Sequence, residues 1–310
     1  MNKGFQLYYA GSQNKTAEQY LLDSGCNRLA SQLLDRNVIG RWVETKASGV
    51  QTGKLFIDSG AFSAHTRGAE VDVDAYCDYL NSIDDQLYVF AQVDKIPGVF
   101  RQPKTHAQVS DAPKLSWENY LHMRKKLKSP EKLLPIFHQG EAFSWLKNML
   151  EWVDENGNHI GYIGLSPAND VQTEAKRDFI SKCFDVIKDS SNPDVKTHAF
   201  GMTSLDLLEK FPFTSADSTT WILIGAMGSV LTKWGPVTLS SSNLGARNHL
   251  RGMPKEARDE FESYVVSHGF TVAALEDDYK QRIIFNIKYL KEWAENYQYK
   301  PVPARPKTLF

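Results

Sequence analysis

At 310 residues, 42% hydrophobic and 24% charged, the chain has the composition of a globular protein and the length of one large α/β domain, which excludes a disorder-dominated chain. A formal net charge of -1 excludes a protein drawn as a whole to nucleic acid, so any such contact needs a local basic face. No run approaches the roughly 20 apolar residues of a membrane span, and no long apolar stretch follows a basic cluster at the start, so a cytoplasmic protein without a membrane partner is expected.

Short apolar runs of strand length alternate with longer amphipathic stretches, the pattern of βα units feeding a parallel sheet. In chain order, strands are expected at Gln6 to Ala10, Lys54 to Asp58, Leu87 to Asp94, Leu133 to His138, His159 to Leu165, Lys196 to Phe200 and Phe213 to Asp217. A last one is expected around Gly228 to Leu231 or Pro236 to Leu239. Helices are expected at Ala17 to Asp35, Val73 to Ile83, Trp117 to Leu127, Ala142 to Glu155 and Thr173 to Asp189.

Eight strands with helical crossovers give an α/β chain with a (β/α)8 TIM barrel; an open doubly wound sheet is the competing architecture, but no GxGxxG follows the first strand and no P-loop occurs. The barrel is assigned to residues 1–240. A basic and helical C-terminal extension, 241–310, is expected to pack on it, with a long helical stretch from Leu275 to Tyr297. Cys26, Cys77 and Cys183 stand far apart and form no CxxC pair, so neither a disulfide framework nor a thiolate zinc site is expected.

In such a barrel, chemistry sits where strands end and loops begin. The expected ends carry Asp58-Ser59-Gly60-Ala61-Phe62, Gln92-Val93-Asp94, His138-Gln139-Gly140, Gly164-Leu165-Ser166, Phe200-Gly201 and Asp217-Ser218. Three carboxylates, an amide and two aromatic rings would then face one cavity. A flat heterocycle stacked between rings gains about 1–3 kcal/mol per base, and its edge is read by groups that donate and accept.

These motifs resemble those of the tRNA-guanine transglycosylase superfamily. Asp58 to Phe62 is similar to its DSGG-aromatic motif, His138-Gln139-Gly140 to VQGG, Gly164-Leu165 to GGL and Phe200-Gly201 to the MG of LMGVG, with Asp217 where the nucleophilic aspartate falls. The resemblance covers roughly residues 55 to 220. It implies a pentosyltransferase that needs no cofactor, with Asp217 as nucleophile and Asp58 as the proton shuttle. Ser59, Phe62, Asp94, Gln139, Gly164, Leu165 and Phe200 would form the base pocket.

The family's CxCxxC-plus-His zinc motif is missing, since no cysteine follows Cys183, so no zinc subdomain is expected. The second glycines of DSGG and VQGG are Ala61 and Glu141. Short length and missing zinc motif make the chain closest to the DpdA-like 7-deazaguanine DNA transglycosylases of bacteria and phages. That resemblance implies exchange of guanine in DNA for a 7-deazaguanine base such as preQ0, with tRNA as the alternative substrate. It also allows a homodimer and a separate ATP-dependent partner.

Lys233, Arg247 and Arg251 are the candidate phosphate contacts, although a basic stretch is more often a solvated helix face. Two other readings stand beside this one. His138 and His198 with the nearby carboxylates would make a metal-dependent barrel hydrolase, and a non-catalytic nucleic-acid-binding subunit needs none of this chemistry.

Overall fold

The computed structural model describes residues 4–11, 14–99, 101–103, 105–168, 171–202 and 204–300. The first strand, β1 (Gln6–Tyr9), is followed by α1 (Lys15–Asp23), β2 (Asn27–Ser31), α2 (Arg36–Ala47), β3 (Leu55–Asp58), α3 (Ala61–Thr66), α4 (Val73–Ser82) and β4 (Val89–Ala91). Next come α5 (His106–Lys126), β5 (Leu133–Leu134), β6 (Ile136–His138), α6 (Phe143–Glu151), β7 (Tyr162–Ser166), α7 (Thr173–Lys188), β8 (Lys196–Ala199), α8 (Leu205–Lys210) and β9 (Ser215–Ser218). The chain ends in α9 (Thr220–Ala226), the hairpin β10 (Ser229–Val230) and β11 (Val237–Thr238), and helices α10 (Lys255–Ser267), α11 (Val272–Asp277) and α12 (Tyr279–Glu295).

Strands β1 to β9 form one parallel sheet in the order β5-β4-β3-β2-β1-β9-β8-β7-β6. Its two end strands, β5 and β6, are consecutive in sequence and separated only by Pro135, so the sheet curls into a nearly closed, TIM-barrel-like cylinder. The proline explains the seam. It has no N–H to donate, so the run from Leu133 to His138 breaks there. Its first half pairs with β4 and its second with β7, and the Pro135 carbonyl accepts from Gly164 N–H at 2.8 Å.

Alternation along the strands sorts side chains into two layers. Leu7 and Tyr9 of β1 point to the helices, while Tyr8 joins Leu29, Phe56, Val89, Ala91, Leu134, Ile136 and Tyr162 in the barrel interior. The interior is therefore filled by side chains, and the buried polar groups among them, His198, Ser215 and the Tyr162 hydroxyl, bond one another.

Two expectations are corrected. The stretch from Ala17 to Asp35 is a helix only to Asp23; it then turns through Gly25, at φ 63, and enters β2. The signal was present, since a glycine in the left-handed region ends a helix. The runs around Gly228 to Leu231 and Pro236 to Leu239 pair with each other as β10 and β11, antiparallel, outside the main sheet.

Helix α12 completes the layer around the sheet: Tyr9 Oη donates to the Ile287 carbonyl at 2.8 Å, and Ile283, Ile287 and Leu290 belong to the main apolar core. A smaller core takes residues from both sides of position 240, among them Val230, Leu239, Phe261, Leu275 and Phe285. Among the described residues no helix is long and apolar enough to cross a membrane.

Candidate active site

Parallel strands bring their C-terminal ends to one rim, and the chemistry-bearing side chains converge there. Asp58 closes β3, in register with Ser31 of β2. The chain then turns through Gly60, whose φ of 77 only glycine adopts freely, and whose N–H donates to Asp58 Oδ2 at 2.9 Å. A Cβ there would stand 2.9 Å from Ser31 Oγ. Burial pushes the Asp58 carboxyl up, against the Gly60 hydrogen bond and with the charges of Asp94, Asp217 and Asp35 adding to it, to about 6. Asp58 thus stands poised between acid and carboxylate near neutral pH.

Asp217 lies on β9 with its side chain 10% exposed. Its Oδ1 accepts from Gly201 N–H at 2.8 Å and from His198 Nε2 at 3.3 Å. Behind it, His198 Nδ1 meets Ser215 Oγ, which bonds Tyr162 Oη. The three residue types of a hydrolase triad are present, but in the wrong order for one. Ser215 is fully buried beneath the histidine, and the carboxylate is the member nearer the rim.

Asp94 follows β4, and both its oxygens are engaged. Oδ1 accepts from Gln92 Nε2 at 2.6 Å, and Oδ2 lies 3.0 Å from His138 Nε2. Burial alone would lower the His138 pKa, but the charge and hydrogen bond of Asp94 and the charge of Glu141 outweigh it and raise it to about 9. Glu141 accepts from His138 N–H at 3.2 Å, and burial lifts its carboxyl to about 7 against the pull of His138. Asp94 is therefore a pre-oriented acceptor with a cationic partner. Beside it opens a cavity of about 570 Å³ between α3 and α5, walled by Ala61, His65, Asp94, Lys95 and Asp111.

The other expected pocket residues are placed differently. Ser59 is buried in the turn, its carbonyl accepting from Gln32 Nε2 at 3.0 Å. The Gln139 amide is spent on backbone: Nε2 donates to the Ala175 carbonyl at 3.2 Å, and Oε1 accepts from Ala168 N–H at 3.0 Å. Gly164 lies against the Phe200 ring, and Leu165 points into the helix layer with its carbonyl accepting from Phe200 N–H at 3.0 Å. The two aromatic candidates separate. Phe200 packs edge-on against His198 and Phe56 inside the barrel, whereas Phe62 on α3 is 59% exposed.

The three basic candidates lie on the surface beyond α9. Lys233 stacks over Trp234 at 4.4 Å and pairs with Glu260 at 3.8 Å; Arg251 pairs with Glu276 at 3.8 Å, and Arg247 is exposed. Arg251 is on the rim side. Glu276 sits just before α12, whose Tyr279 Oη accepts from Asn14, in the loop leaving β1.

The sequence reading missed the work of both histidines, of Gln92 and of Glu141. His138 reaches Asp94 across 44 residues of chain, and no local pattern could announce that pair. His198 carried a weak signal, standing two residues before a phenylalanine-glycine step at a strand end. Among the described residues, no three of His, Cys, Asp and Glu are grouped so as to hold a metal ion. Compared with protein-family models and with curated proteins, the chain matches none.

Proposed function

We propose that the protein is a (β/α)8-barrel transglycosylase without a zinc subdomain, which replaces guanine in DNA with a 7-deazaguanine base through a covalent aspartyl intermediate. The observation that carries this reading is the unequal surroundings of the rim carboxylates. Burial and the charges of Asp94 and Asp217 lift Asp58 to about 6, while Asp217 is held by two donors on one oxygen. Two carboxylates in different environments are what glycosyl transfer with a covalent intermediate requires.

In this mechanism Asp217 Oδ2 bonds to the anomeric carbon as the bond to guanine N9 breaks, and the electron pair leaves with the base. Asp58 gives the departing guanine its proton, which general acid catalysis makes worth about 10²- to 10⁴-fold. The incoming base then loses its N9 proton to the Asp58 carboxylate. Its nitrogen attacks the anomeric carbon, the ester to Asp217 breaks, and both carboxyls return to their starting states. Asp94, fixed by Gln92 and His138, accepts from the N–H edge of the base, and the exposed Phe62 ring offers it a stacking face.

The test is incubation of the purified protein with a guanine-containing DNA oligonucleotide, a tRNA and a 7-deazaguanine base. Digested nucleosides and protein trapped on nucleic acid are then read by mass spectrometry. A modified deoxynucleoside and a DNA adduct, both lost in Asp217→Ala, are the expected result. Modification of tRNA alone keeps the chemistry and changes the substrate, and exchange with neither overturns the reading.

A further inference from the structure

Both hydrogen bonds received by Asp217 fall on Oδ1, one from Gly201 N–H and one from His198 Nε2. Among the described residues Oδ2 has no hydrogen-bond partner. A carboxylate oxygen accepts, so the pair is assigned with His198 Nε2 as its donor. The opposite nitrogen is anchored by Ser215 Oγ and, behind that, by Tyr162 Oη.

Four rings close the space around the imidazole, Tyr162 at a centroid distance of 6.5 Å and three others nearer. Tyr8, Phe56 and Phe200 stand edge-on to it at centroid distances of 5.8, 4.9 and 4.5 Å, and His198 is fully buried. The side chain therefore has no room to swing toward a substrate and no surface open to bulk solvent. A histidine so enclosed is unsuited to general acid or base work on the substrate, and well suited to fixing its neighbour.

We infer that His198 is a positioning residue for Asp217, an inference that rests on the transglycosylase reading for its catalytic meaning. Its Nε2–H pins Oδ1 and leaves Oδ2 as the oxygen presented to the anomeric carbon. When the Oδ2 to carbon bond forms, Oδ1 becomes the ester carbonyl oxygen and still accepts from both donors. The same two bonds thus hold the group before attack, in the intermediate and after release.

The experiment compares His198→Phe, which keeps an aromatic ring without the donor, with His198→Gln, which can place an amide N–H near the lost Nε2. His198→Phe is expected to lower kcat for exchange of labelled guanine by about 10²-fold with KM unchanged, and His198→Gln to recover to within about tenfold of the parent. Parent-like exchange in His198→Phe, or equal loss in both variants with a rise in KM, overturns the inference. If the parent protein exchanges guanine with neither DNA nor tRNA, the proposed function fails instead. The positioning bond is then decided by ¹⁵N NMR of labelled histidine. A protonated Nε2 whose signal moves in Asp217→Asn upholds it, and an unprotonated Nε2 overturns it.

Discussion

His138 Nε2 lies 3.0 Å from Asp94 Oδ2, joining the end of β6 to the loop after β4 and giving the candidate base-reading carboxylate a cationic partner. The folded-state pKa of His138, about 9, is above its ordinary 6.5. The folded protein therefore binds the proton more tightly than the unfolded chain. The contribution to stability is complete below pH 6.5 and is lost as the pH rises through about 9. With 34% of the side chain open to water, screening holds it to about 1–2 kcal/mol. Urea unfolding of the parent and His138→Gln at pH 6 and pH 9.5 checks this; the gap between the two proteins is expected to shrink at the higher pH.

Asp58 shifts in the same direction, so its pH dependence has the same sign, at lower pH and with the charged form now the disfavoured one. Its folded pKa of about 6 exceeds the ordinary 3.8, so the unfolded chain ionises first and stability falls as the pH rises from about 4 to 6. At pH 7 the parent holds a buried carboxylate at a cost of about 1–3 kcal/mol. Asp58→Asn is expected to be more stable than the parent at pH 7, to lose that advantage at pH 4, and to show no guanine exchange. Calorimetric melting at the two pH values, paired with the exchange assay, measures all three.

A Cβ at Gly164 would collide with the Phe200 ring and stand 2.9 Å from Leu134 Cδ2, inside a filled barrel. Gly164→Ala must move that ring, and overpacking of this kind costs about 1–3 kcal/mol. Phe200 also packs on His198, so the displacement reaches Asp217. The expected outcome is a lower denaturant midpoint together with slower exchange, and a parent-like midpoint would show that the ring has room to yield.

Arg28 and Glu18 form a fully buried ion pair at 3.1 Å, with Asp35 at 3.9 Å from the guanidinium. Glu18→Gln leaves a buried cation underpaired, which is expected to cost about 3–5 kcal/mol. Replacing both partners, Glu18→Leu with Arg28→Met, is expected to cost less, because the buried pair goes together and Asp35 keeps the Ser31 N–H as its donor. A double-mutant cycle by urea unfolding separates the two outcomes.

The surface cations predict a salt dependence. Among the described residues the ion pairs of Lys233 with Glu260 and of Arg251 with Glu276 are long, at 3.8 Å each, and contribute little, so both cations can exchange them for phosphate. Replacing Lys233, Arg247 and Arg251 together by alanine is expected to weaken oligonucleotide binding and to flatten the slope of log affinity against log salt by about 2–3. An unchanged slope in a fluorescence titration would place the nucleic-acid path elsewhere.

The amino-acid sequence by itself determined the strand-and-helix rhythm and the polar residues at strand ends, because both depend on local periodicity and on residue type. Asp58, Asp94 and Asp217 were legible for that reason. The tertiary structure decided what that rhythm concealed. β2 was hidden in a stretch read as one helix, and the eighth expected strand became a separate hairpin, because pairing partners lie far away in sequence. The seam at Pro135 arises from which neighbour each half of a strand meets.

The site divides in the same way. Its carboxylates were visible as letters, but the raised pKa of Asp58 comes from burial and from the nearby Asp94 and Asp217, which only packing creates. Gln139 looked like a pocket residue by position, and the fold spends its amide on backbone. His138 and His198 could be read in sequence as a metal pair, and closure of the sheet set each beside an aspartate instead. Side-chain chemistry is written residue by residue, whereas proximity across the barrel exists only once the whole chain has closed.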